Sequence, residues 1–191
     1  MPSSPNVAAL GNWIRSWVQP CGAIHGFHNH PVWGANPYRW LDLTAGHSTW
    51  ASPFLAGLAE AIQFKPDTRA KALLEQLIDF QSTSFAPNGH YKHIGFNAGE
   101  ICQKGLIHNA VPNLSLGLTA LRTRDWLPTR LFDQIRAAIL RSMNEGCLRY
   151  GGGRPDCTAV ANQDYARIWG KLLFMQAFED RTWYEDRKSV V

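Results

Sequence analysis

Three nearly all-apolar segments, each with a glycine near its middle, recur along this chain at Gly57, Gly117 and Gly170, separated by 60 and then 53 residues. Each is preceded by a long polar connection, the first two rich in His, Asn, Gly and aromatic residues and the third, GCLRYGGGRPDC, rich in glycine, and that connection by an amphipathic segment. A repeat of this period and of helical character implies stacked helical hairpins. A helix that is apolar on most sides has to be enclosed, whereas one with a single apolar stripe can form an outer layer. The pattern therefore predicts inner helices at 47–63, 111–123 and 158–179, and outer helices at 6–18, 67–82 and 128–145.

The stripes of the outer helices can be read directly. They are Leu10, Trp13, Ile14 and Trp17 in the first, ended by Pro20 and Gly22; Ala70, Leu73, Leu74, Leu77 and Ile78 in the second; and Leu131, Ile135, Ala138 and Ile139 in the third. Proline suits the first turn of a helix, so Pro112 predicts that the middle inner helix begins near Val111, with Leu114, Leu118 and Leu121 on one line. His108 and Asn109 then sit at its start, where free N–H groups and the positive end of the helix dipole suit an anionic or hydroxyl-rich ligand. Every outer-to-inner connection is long and polar, while both inner-to-outer connections are a few residues. Function is expected at one end of the array, where the inner helices begin.

At 191 residues, 45% of them hydrophobic, the chain has enough material for one domain with a sizeable core. The net charge of +4 comes from basic residues spread thinly, with a mild concentration of arginines between Arg122 and Arg154, which does not make a nucleic-acid stripe. The start MPSSPN lacks the basic and apolar regions of a signal peptide, and no apolar run approaches the ~18 residues of a membrane span. Cys21, Cys102, Cys147 and Cys157 form no metal-type spacing and read as reduced and buried, the alternative being a disulfide between two loops. A cytoplasmic protein without nucleic-acid or membrane partners is the expectation; a piece cut from a longer secreted chain would look the same.

The stretches FHNHPVW, NPYRW, GHYKH, LIHNAVPN and ANQDYARIW look like parts of a sugar-binding cleft, and with the hairpin layout the chain resembles the α/α-toroid carbohydrate-active enzymes. Those are glycoside hydrolases of the unsaturated-uronyl-hydrolase type and the toroid domains of polysaccharide lyases. The resemblance implies a single all-α domain over residues 1–191, three stacked helical hairpins forming part of an α/α toroid, with a carbohydrate substrate. A closed toroid is larger than the helices read here. The chain is therefore expected to be the N-terminal part of a larger enzyme with a missing C-terminal domain, or an array completed by a partner, such as a homo-oligomer.

Two reaction types fit the residues at the proposed functional end. Glycoside hydrolysis needs a carboxylic acid with raised pKa and an ionised carboxylate; Glu100 and Asp164 are the best pair there, ahead of Asp42 and Asp156. Asp164 would equally form a structural ion pair with Arg167, three residues on. β-Elimination from a uronate needs a group to hold the carboxylate (Asn109 or Asn162 with Arg167), a base (His108 or His47) and an acid (Tyr165 or Tyr91). Trp33, Trp40, Tyr38 and Trp50 are candidate stacking platforms for sugar rings, and Asn97 lies in a polar glycine loop. No cofactor is required by either reaction. A rival reading takes His25, His28 and His30 as a divalent-metal cluster, with His47 or Asp42 as a fourth ligand, in a metal-dependent hydrolase. A second rival is a non-catalytic helical-repeat binding module.

Overall fold

A computed structural model of the chain describes residues 48–83, 85, 89, 91, 107–146 and 161–181. The outer helix expected at 6–18 lies outside these residues. Five α-helices occupy most of what is described: α1 (Ser48–Phe64), α2 (Thr68–Thr83), α3 (Ile107–Thr123), α4 (Thr129–Arg141), which runs into a π-helical turn at Ser142–Gly146, and α5 (Ala161–Phe178). Among the described residues there is no strand, only an isolated antiparallel bridge between Phe85 and Tyr91. None of these helices is long and apolar enough to cross a membrane.

The outer stripes fold as their spacing dictates. On α2, Leu74, Leu77 and Ile78 are buried, with Ala70 and Leu73 packed partly against the core; on α4, Leu131, Ile135, Ala138 and Ile139 are buried. Asp67 fixes the start of α2, its Oδ1 accepting a 2.8 Å hydrogen bond from the Ala70 N–H. At the other end of the chain, Glu179 follows α5 with φ 53°, the left-handed residue that closes many helices.

One boundary departs from expectation. The middle inner helix starts at Ile107, not near Val111, and Pro112 is its sixth residue, as Pro53 is the sixth of α1. At that depth proline removes one helical hydrogen bond and crowds the carbonyl a turn earlier. Packing outweighs this: Asn109 and Ala110, in the turn before Pro112, are fully buried, and tertiary contacts of this kind override local preference.

The layers follow the expected inner and outer assignment. α3 is the central member, packed chiefly against α1 on one side and α5 on the other, while α2 and α4 pack together as the outer pair. The inner helices run parallel. Leu114 of α3 meets Gly170 of α5, and Gly117 meets Leu173, in ascending order. Glu60 and Gln63, late in α1, reach Arg122, late in α3, through an ion pair and a hydrogen bond to its carbonyl. The turns at 65–67 and 124–128 lie at the C-terminal ends of inner helices, so connections 84–106 and 147–160 lead to the opposite end, where the inner helices start. The core between the layers contains Leu55, Ile62, Leu77, Leu116, Ile135 and Phe174.

α3 is the most enclosed of the inner helices, and its buried Thr119 and Thr123 each donate a 2.8 Å hydrogen bond to the carbonyl four residues back. Among the described residues the two flanking inner helices are less enclosed: α5 leaves Tyr165, Ile168, Trp169 and Leu172 exposed, and α1 leaves Phe64 exposed, each having an inner neighbour on one side only among the described helices. The arginines from 122 to 141 are used structurally, in pairs Arg122–Glu60, Arg124–Glu179, Arg130–Asp79, Arg136–Asp180 and Arg141–Glu145. Four of these five join different elements.

Candidate functional site

At the start of α3, Asn109 holds the connection that precedes it. Its Oδ1 accepts a 3.2 Å hydrogen bond from the Tyr91 N–H, and its Nδ2 donates at 3.3 Å to the Gly89 carbonyl. Gly89 has φ 79°, a conformation that side chains other than glycine's resist. One turn further along α3, Asn113 continues the network: its Oδ1 accepts a 2.7 Å bond from the Tyr91 hydroxyl, and its Nδ2 donates at 2.9 Å to Ser142 Oγ. Asn109, Asn113, Tyr91 and Ser142 are all buried. The Tyr91 ring also packs on Phe85, centroids 4.7 Å apart, and the Arg141 guanidinium lies 4.8 Å over Phe85. A connection, an inner helix and the end of an outer helix are thereby tied at one point.

Ser142 opens the π-helical turn, a rare geometry that often marks functional positions, and its N–H reaches the carbonyls of both Ala138 and Ile139. The Met143 methyl, one residue on, touches the site of a Gly170 Cβ at 3.5 Å. The same seam therefore backs onto α5.

The parallel register of α3 and α5 sets where the α5 residues stand. Extended by three residues below the Leu114–Gly170 contact, the same register brings Arg167 level with Val111, in the second turn of α3. Arg167 is buried, and Asp164, in the first turn of α5, is half-buried. Tyr165 is exposed. His108 and Asn162 are carried in the first turns of α3 and α5.

Of the residues expected at the site, the structure thus brings Tyr91, His108, Asn109, Asn162, Asp164, Tyr165 and Arg167 to one end of the array. Tyr91 and Asn109 stand there as buried supports, both engaged in the network above. Glu100, His47, Trp33, Trp40, Asn97, His25, His28 and His30 lie outside the described residues. Among the described residues no group of His, Cys, Asp and Glu could hold a metal ion. Gly89, Asn113 and Ser142 do not stand out in the sequence as site residues. The signal available for Asn113 is its place between apolar residues in a helix expected to be buried, where a polar side chain needs a partner; Ser142 and Gly89 carry none.

A buried guanidinium beside the starts of parallel helices is an environment for an anionic group, since helix N-termini and arginine both favour carboxylate or phosphate. A half-buried carboxylate and an exposed phenol follow within the same two turns. Comparison with protein-family models, with characterised proteins and with solved structures found no significant match.

Proposed function

We propose that this chain is a helical-hairpin array of the α/α-toroid kind that binds an oligosaccharide containing uronic acid and cleaves it by hydrolysis or β-elimination. The observation that carries the reading is the parallel run of α1, α3 and α5. It gathers their N-terminal turns, with His108, Asn162, Asp164 and Arg167, at the end where the long polar connections enter them. Arg167 with Asn162 would neutralise the uronate carboxylate. In elimination, His108 takes the C5 proton, the C4–O bond breaks as the C4–C5 double bond forms, and Tyr165 protonates the departing oxygen. In hydrolysis, Glu100 and Asp164 supply the acid and the base or nucleophile. A cytoplasmic setting belongs to the same reading.

The test is thermal shift and turnover on the purified chain with a panel of uronic-acid oligosaccharides, repeated for Asp164→Asn and Glu100→Gln. Stabilisation by a sugar, with turnover lost in either variant, supports the proposal; unaltered turnover in both overturns the hydrolase assignment. Stabilisation by zinc alone would transfer the weight to His25, His28 and His30. A second reading, a non-catalytic binding module, is favoured by the exposed apolar face of α5, and sugar binding without turnover in the parent chain would select it.

A further inference from the structure

Three elements converge on Asn113. Both ends of its buried side-chain amide are engaged, Oδ1 accepting from the Tyr91 hydroxyl, 22 residues before it, and Nδ2 donating to Ser142 Oγ, 29 residues after it. Its Cβ lies against α5, 3.5 Å from where a Gly170 Cβ would stand, and the Leu114 nitrogen is closer still at 3.3 Å. The Met143 methyl, next to Ser142, meets the same point at 3.5 Å. Asn113, Ser142, Met143 and Gly170 therefore form a closed circuit, to which Tyr91 is attached through Asn113.

This circuit has little slack. An asparagine side chain is short, and a buried polar atom left without a partner is costly, so the amide follows its partners when they move. The helix frame follows too, because Asn113 Cβ and Leu114 N belong to the main-chain frame of α3 and cannot swing aside as a long side chain would. Glycine at 170 seats α5 directly on this frame, since any other residue would bring a Cβ tighter against Leu114 N than ordinary contact allows. Arg167 stands within one helical turn of Gly170, and Asp164 within two. Buried Arg167 and half-buried Asp164 thus ride on a helix whose seat is Asn113.

We propose that Asn113 is a positioning residue that couples the connection preceding α3 to the first turns of α5. Contacts made on the connection that holds Tyr91 shift α5 with its Arg167 and Asp164, and contacts made on α5 shift the connection. Such coupling is reciprocal by thermodynamic necessity. Both segments enter the candidate site, so a ligand held by one orders the other. The inference rests on packing and hydrogen bonds, and not on the nature of the substrate.

Amide hydrogen exchange on the unliganded full chain tests this, read by NMR at the Tyr91 N–H and at residues 165–170 of α5, with Leu74 to Ile78 of α2 as the reference. Tyr91→Phe removes the hydroxyl without altering α5 and should speed exchange at 165–170 by at least about twofold, the lower end of coupling within a shared network. Gly170→Ala presses on Asn113 and Leu114 and should speed exchange at the Tyr91 N–H to a similar degree. Ser142→Ala, which empties one end of the amide, should speed both and serves where Gly170→Ala does not fold. Gly117→Ala disturbs α5 one turn further along, at Leu173 and Phe174, and should leave the Tyr91 N–H unchanged. An effect missing in either direction overturns the proposal, as does a rise that Gly117→Ala matches at Tyr91 or that the α2 reference shares. No sugar is present, so a failure here and a failure of the glycan reading are told apart.

Discussion

The Tyr91 hydroxyl donates a 2.7 Å hydrogen bond to Asn113 Oδ1, joining two buried residues 22 positions apart. With Asn109 clamping the backbone at Gly89 and Tyr91, it fixes the only described part of the 84–106 connection to α3. Tyr91→Phe removes one bond and should cost about 1 kcal/mol. Asn109→Ala strips the buried Gly89 carbonyl and Tyr91 N–H of their partner and should cost more, about 2–4 kcal/mol if the two losses add. Thermal melts of both variants check the order: Asn109→Ala should lower Tm by more than Tyr91→Phe does.

Gly117 and Gly57 occupy corresponding places in the repeat and should respond oppositely to the same substitution. A methyl at Gly117 would stand 3.0 Å from Leu173 Cβ, part of the main-chain frame of α5 and unable to swing aside. Gly117→Ala should therefore destabilise by about 1–3 kcal/mol through overpacking. Gly57→Ala meets nothing within 4 Å among the described residues and should gain up to about 1 kcal/mol from helix propensity. Urea unfolding at a concentration where the protein is monomeric would read both.

Asp79 gives a pH signature. Its carboxyl is held below the ordinary value of 3.8 by a hydrogen bond from Arg130, with Gln134 adding a second and partial burial opposing both. A carboxylate with a lowered folded pKa contributes stability above its unfolded pKa, and that contribution disappears as pH falls through the folded value. The pair is about half exposed, so the contribution at pH 7 should be below about 1 kcal/mol. Asp79→Asn should lose this amount at pH 7, and its stability should converge with the parent's as pH falls through the lowered Asp79 value.

How far the fold is legible in the sequence depends on whether the determining contacts are local. The stripes of α2 and α4 are consequences of a 3.6-residue period, so spacing alone assigns Leu74, Leu77, Ile78, Leu131, Ile135 and Ile139 to the core. It does not locate the start of α3, because the rule that proline belongs in a first turn is local, whereas the turn before Pro112 is held by Asn109 binding a connection 18 to 20 residues away. The same limit hides Ser142, whose partner Asn113 is 29 residues distant. The open faces of α1 and α5 are hidden for another reason. An apolar helix reads alike whether its last side meets another part of its own chain or a second molecule.

Tyr165 would separate the two chemistries proposed for this chain. Elimination needs an acid for the departing oxygen, and of the two tyrosines considered, Tyr91 is fully buried with its hydroxyl bonded to Asn113, while Tyr165 is exposed in the first turns of α5, next to Asp164. Under β-elimination, Tyr165→Phe should lower kcat by about 10²–10⁴-fold, the usual contribution of a positioned general acid. Under hydrolysis by Glu100 and Asp164 it should change kcat little, because the phenol then takes no proton. Tyr165 is largely solvated, so losing its hydroxyl should leave Tm unchanged within the usual ±0.5 kcal/mol of surface substitutions, and a fall in rate can be read as chemistry. Absorbance of the unsaturated uronate, which forms in elimination and not in hydrolysis, gives the independent readout. Product absorbance that persists undiminished in Tyr165→Phe would remove Tyr165 from the mechanism and return the acid's role to an unassigned group.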